Sequence, residues 1–112
     1  MTVVEKAPPT VADMRSDSNL AMDLASYAHG TGPAADQLRR RLRSHISLLA
    51  DPAEEYAKGL ADDRARDVAL GTVAYARTLL TAQITDPVAA LRLLAKHTDF
   101  LLRYATAHRQ GR

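Results

Sequence analysis

Few residues of this chain can do chemistry, and their spacing limits what that chemistry is. His45 lies on the apolar stripe of one helical segment and His97 on a stripe of another. Two imidazoles and a carboxylate would suit zinc or another transition metal. Neither histidine has a second ligand one helical turn away, as a His-Glu-x-x-His pattern provides. A buried imidazole hydrogen-bonded to a carbonyl or carboxylate is the competing role, so no metal is expected, with His45 and His97 as weak candidates. Arg39, Arg40, Arg41 and Arg43 form the basic cluster, a candidate contact for an anion or nucleic acid. Successive residues turn by about 100° around a helix, so the four do not make one stripe. Arg92, Lys96 and Arg103 are the candidates for a second basic element. The alternative is a solvated face paired with Asp36, Glu54 or Glu55.

The remaining polar residues read as structural. Tyr27, Tyr56, Tyr75 and Tyr104 each accompany an apolar position with no neighbouring base in sequence, as edge-of-core aromatics do. Glu54-Glu55 and Asp62-Asp63 diverge around a helix and read as charges at helix starts, where the dipole favours them. There is no cysteine, no glycine-rich phosphate loop and no Gly-x-Ser-x-Gly. No catalytic residue, no cofactor and no enzymatic activity are expected.

The elements that hold these residues are helices. Alanine, leucine and arginine dominate, all strong helix formers, and β-formers are too sparse to build a sheet. A first helix is expected from Val11 or Ser16 to Ala28, with Leu20, Met22, Leu24 and Tyr27 inward and a glycine closing it after His29. Pro33 opens a second, whose stripe is Leu38, Leu42, His45, Leu49, Ala53, Tyr56 and Leu60, widened by Ile46 and Leu48. Asp51-Pro52 either splits this helix or kinks it; the stripe keeps phase across the proline, which favours one kinked helix. A third helix spans about Asp63 to Ala82, with Val68, Ala69, Thr72, Val73, Ala76, Leu79 and Leu80 inward. Asp86-Pro87 caps a fourth that reaches about His108. Two stripes run along it, Leu91, Leu94, Thr98, Leu101 and Ala105 beside Leu93, His97, Phe100 and Tyr104. The fold class is therefore all-α, an antiparallel four-helix bundle. Residues 1–10 read as a disordered tail around Pro8-Pro9, 11–109 as one bundle domain and 110–112 as a frayed end.

The net charge of +2 is small, but its sign alternates from helix to helix, acidic in the first and basic in the second. Such alternation suggests complementarity within or between chains more than a nucleic-acid footprint. The first residues lack a basic start before an apolar core, so no secretory leader is expected. No apolar run approaches the roughly 18 residues that span a bilayer. A cytoplasmic protein without membrane contact is the expectation.

The segments LRSHISLL, DDRARDVALGTVAYARTLL and AALRLLAKHTDFLLRYATAH resemble a family of small actinobacterial helical proteins of unknown function. Some of its members are labelled "natural product biosynthesis protein". The resemblance covers roughly residues 35–108 and rests on Leu42, Arg43, His45 and Ile46, then Ala76, Arg77 and Leu80. It departs before Pro52, where Ala50-Asp51 stands in place of the family's usual apolar residue. The abundance of alanine, and of arginine over lysine, fits the GC-rich genome of such a source. The resemblance implies a place near biosynthetic gene clusters and no particular reaction.

Function is thus expected to be non-enzymatic: a helical accessory protein that self-associates, as a homodimer, or docks on a protein partner. Leu93, Phe100 and Tyr104 are its expected interface, because one helix can present only a limited arc to its own bundle. Leu42, Leu49, Leu79, Leu91, Leu94 and Leu101 are the expected bundle centre. A nucleic-acid regulator using Arg39–Arg43 is the first alternative. A small-molecule or metal-binding bundle around His45 and His97 is the second.

Overall fold

The computed structural model describes residues 7–111. These form four helices, with no strand among the described residues: α1 (Val11–Ser26), α2 (Pro33–Lys58), α3 (Asp63–Thr78) and α4 (Pro87–Arg109). Residues 1–6 of the expected tail, and Arg112 of the expected frayed end, lie outside the described residues.

Local chemistry sets each helix start. Thr10 Oγ1 accepts from the Asp13 amide at 3.0 Å, and Asp13 returns the contact to the Thr10 amide at 2.9 Å. This reciprocal box fixes α1 at Val11 rather than Ser16. Asp62 accepts from the Ala65 amide, and Asp86 from those of Val88 and Ala89, capping α3 and α4. Pro33 and Pro87 occupy first-turn positions.

Two boundaries differ from expectation. α1 stops at Ser26, and the left-handed residue that follows its C-cap is Ala28 (φ 59°); the glycine with a positive φ in this loop, Gly32 (φ 103°), precedes α2 as its N-cap. Gly30 serves a different need: a Cβ there would lie 2.8 Å from both the amide nitrogen and Cγ2 of Val88. The loop after α1 therefore presses on the first turn of α4. Arg39 holds it there, its Nη1 donating to the carbonyls of Gly30 (2.5 Å) and Pro87 (3.3 Å). α3 ends at Thr78 instead of Ala82, and Leu79 is its C-cap.

α2 continues as one helix through Pro52. Proline has no N–H to give the Leu48 carbonyl, but flanking turns and packing carry the helix across. Glu54 and Glu55 accordingly lie inside a helix rather than at a start, which corrects their reading as caps.

Side-chain contacts set the helix directions. Arg39, early in α2, reaches Pro87 at the start of α4, and Tyr56 stacks on Tyr104 late in α4 at 5.5 Å. These two helices therefore run the same way. α1 runs against both, with Asp17 opposite Arg41 and His45, and Arg92 reaching back to the Ala25 carbonyl. α3 runs against α2: Arg77 meets Asp51 and Glu54, and Arg66 meets the Leu60 carbonyl.

The largest contact in the molecule is between α2 and α4; α1 packs chiefly on α4, α3 chiefly on α2, and α1 and α3 do not touch. The result is a slab of 44 × 42 × 22 Å rather than a square bundle. Alanines explain the close central pair: Ala50, Ala53 and Ala57 of α2, and Ala90, Ala95 and Ala105 of α4, are all buried. The six leucines expected at the centre are buried as well. α4, touched by all three other helices, buries more than one face.

The inward face of α1 is reassigned, and single positions of α3 and α2 are corrected. α1 buries Met14, Ser18, Ala21 and Ala25, a stripe of mostly small residues, and leaves Leu20 (46% exposed), Met22 and Tyr27 in solvent. The small side chains let α1 lie close to α4, where Ser18 Oγ donates to the Ala95 carbonyl at 2.9 Å. α3 buries Ala69, Val73 and Ala76 as expected but exposes Val68 (61%). On α2, Leu48 is exposed rather than inward.

Ala21→Leu should therefore overpack the α1–α4 contact and cost about 1–3 kcal/mol. Leu20→Ala, at the position first expected inward, should change stability by less than about 0.5 kcal/mol. Urea unfolding of the two variants checks the assignment; the reverse order would refute it.

Candidate functional site

The slab has two flanks with different chemistry. On the α1 flank, Arg41 and His45 lie one turn apart on α2 and both face Asp17 of α1. Arg41 donates to the two Asp17 oxygens from Nε (3.1 Å) and Nη2 (3.2 Å), and His45 Nε2 lies 2.8 Å from Oδ2. A carboxylate only accepts, so Nε2 carries the proton in this pair. His45 is buried, and its Nδ1 has no hydrogen-bond partner among the described residues. Burial pushes the Asp17 carboxyl up. The hydrogen bonds from Arg41 and His45 and their positive charges outweigh it and hold the group below its ordinary 3.8.

This clasp floors a cleft of about 620 Å³ between α1 and α2. Ser16 of α1 and Gln37, Arg40 and Ser44 of α2 line its walls, with Ala7, Pro9 and Leu48 along one side.

The opposite flank is aromatic. His97 sits between Tyr75 of α3 (ring centroids 4.9 Å) and Phe100 (5.6 Å, edge to face). Its Nδ1 lies 2.9 Å from the Leu93 carbonyl, which can only accept, so Nδ1 carries the proton. Lys96 Nζ lies 5.9 Å over the Phe100 ring. Of the candidate interface residues, Leu93 and Tyr104 pack against the core from its edge, and Phe100 is half-buried. α3 and α4 share the smallest contact of any touching pair, so this flank is shallow and open. Val68, Gly71 and Tyr75 stand exposed along α3 beside it.

The structure separates residues that a metal or phosphate site would need together. His45 binds to the α1 flank and His97 to the α3 flank, and α2 and α4 lie between. Among the described residues no group of three His, Cys, Asp or Glu side chains could hold a metal ion. The arginine cluster is divided likewise. Arg39 ties the loop to α4 and pairs with Asp36, Arg41 holds Asp17, and Arg40 lines the cleft. Arg43 is half-buried. Of the second basic element, Arg92 reaches the α1 carboxyl end, Lys96 covers Phe100 and Arg103 pairs with Asp99. Among the described residues no helix is long and apolar enough to cross a membrane.

Two partners escaped the sequence reading. Asp17 was not singled out, although Arg41 and His45 at i and i+4 on one face ask for an acid opposite. Arg77 bridges α3 to α2 through Glu54 Oε1 (2.6 Å) and Asp51 Oδ1 (2.8 Å). The Arg77 hydrogen bond and charge hold Glu54 below its ordinary value, and Glu54 in turn raises Arg77.

The Asp17 shift carries a sign. A carboxylate whose folded pKa is depressed stabilises the fold above its unfolded value and loses that contribution as pH falls through the folded one. Asp17→Asn should cost about 1–2 kcal/mol at neutral pH, a figure kept low because Arg41 is partly solvated. The gap between wild type and variant should close as pH falls below 3.8. Chemical denaturation across that range checks it; a gap independent of pH would contradict the clasp.

No curated protein and no solved structure matches the chain. A family model does match, over residues 12–110 and so over all four helices. The chain belongs to that family, described as a family of unknown function (DUF6415).

Proposed function

We propose that the protein is a non-enzymatic accessory bundle that works as a self-associated pair in the cytoplasm, joined through its α3–α4 flank. The observation that carries this reading is the exposed strip Val68, Gly71 and Tyr75 beside half-buried Phe100. Gly71 is the telling member. It sits inside a helix, where glycine costs about 1 kcal/mol relative to alanine. Among the described residues no neighbouring element lies within 4 Å of the Cβ it lacks, so packing between them does not require it. A bare helix surface flanked by Val68 and Tyr75 suits close approach of a second helix. A lean core points the same way: one Phe, no Trp, and Val68 and Tyr75 left outside it.

The occupant we infer is a second copy of the chain. In a two-fold pair the strip faces itself. The exposed edge of α3 carries Asp67 and that of α4 carries Lys96, so in a two-fold pair the acid of one copy can face the amine of the other at the rim. Leu93 and Tyr104 lie behind the contact, and Phe100 is its centre.

Val68→Asp lies on the surface, so it should leave helicity and unfolding midpoint nearly unchanged while shifting the protein to monomer in analytical ultracentrifugation. Phe100→Asp should act in the same direction with some added loss of stability. A wild-type protein that sediments as a monomer at high micromolar concentration would end this reading. So would a dimer indifferent to both substitutions.

A further inference from the structure

The α1–α2 cleft carries an inference independent of self-association, because it lies on the other flank. Its two carboxylates are already engaged. Both oxygens of Asp17 receive N–H groups from Arg41 and His45, and Asp13 is drawn into the cap of α1 by the Thr10 amide. What remains toward the cleft is rich in donors. Arg40 is exposed and makes no hydrogen bond or ion pair among the described residues, and neither do the side chains of Ser16, Ser44 and Gln37. Arg41 retains Nη1, since only its Nε and Nη2 are taken. Unmatched guanidinium donors beside hydroxyls recognise carboxylate and phosphate oxygens.

The rest of the cleft defines the other part of the ligand. Its volume, about 620 Å³, is that of a metabolite site rather than an ion site. Pro9, Ala7 and exposed Leu48 give one apolar wall. Leu48 also belongs to the turn before Pro52, where its carbonyl lacks the usual helical donor. We infer that this cleft binds a small amphiphilic anion, a carboxylate or phosphate group seated on Arg40, Arg41 and Ser44 with an apolar body against Pro9 and Leu48. Arg41 is held in place by Asp17, so one guanidinium is preset and Arg40 closes on the ligand from beside it.

Titration of the full chain with inorganic phosphate, phenyl phosphate and benzoate at constant ionic strength tests this, read by amide chemical shifts in two-dimensional NMR. Shifts centred on Ser16, Arg40, Ser44 and Leu48 are expected, with at least one aromatic anion binding more tightly than inorganic phosphate. The tighter of the two aromatic probes names the head group. Arg40→Gln should weaken binding about tenfold, the scale of one charge-assisted contact. Arg40 has no partner among the described residues, so this variant should keep its structure. Arg64→Gln, an exposed arginine on α3, should bind as wild type. Absence of shifts in the cleft, shifts spread over every arginine, or equal weakening in both variants would overturn the inference.

Discussion

The close, parallel apposition of α2 and α4 governs the rest of the molecule. Buried alanines on both helices remove the bulk that would hold these two apart. In a square four-helix bundle the second and fourth helices sit across a diagonal, separated by core side chains. Here they meet directly, and leucines of both helices are buried in one core. Each buried large side chain adds about 1.5–3 kcal/mol, and most of the fully buried large residues belong to α2 and α4. Once that pair is formed, α1 and α3 have only the two outer grooves to occupy. They end on opposite sides and never touch.

That separation assigns chemistry to the flanks. α1 meets the side of α2 that carries Arg41 and His45, and an ionic clasp on Asp17 follows. α3 meets the other side through small residues and one arginine, and leaves its valine and tyrosine outside. The charged flank encloses a cleft, while the aromatic flank stays shallow. The two proposals drawn from them, an anion in the first and a second copy against the second, therefore do not compete for the same residues. Ligand binding at Arg40 and pairing at Val68 can be lost separately.

Arginine use follows the same logic. Arg39 and Arg92 satisfy carbonyls at helix ends and loops, Arg41 and Arg77 bridge helices, and Arg66 reaches back to the joint before α3. The planar, forked guanidinium can meet two acceptors at once, which a lysine ammonium does less well. A bundle with short helices and few aromatic core residues gains order from such bridges. Together with Arg103, which pairs with Asp99, six of the eleven arginines among the described residues are engaged in this way.

Periodicity, proline and aspartate at the helix starts determined by themselves that there are four helices and nearly where they begin. They also determined most of the core leucines of α2 and α4, because large apolar residues at spacings of three and four have no other stable place to go; Leu102 is buried outside both stripes and Leu48 is exposed. Pro52 could be read as a break from sequence, but the phase of the stripe across it already argued for continuity. What sequence could not determine was which face α1 buries, or that Val68 stays outside the otherwise expected face of α3. The inward residues of α1 are Met14, Ser18, Ala21 and Ala25, and serine and alanine carry too little hydrophobic signal to outweigh Leu20 and Met22 in a pattern. Only tertiary structure decides that close approach to α2 and α4 outweighs burying those larger side chains. The same holds for the sites. His45 and His97 look alike on their stripes, yet they face opposite flanks, and Asp17 becomes a partner of Arg41 only when α1 folds back against α2.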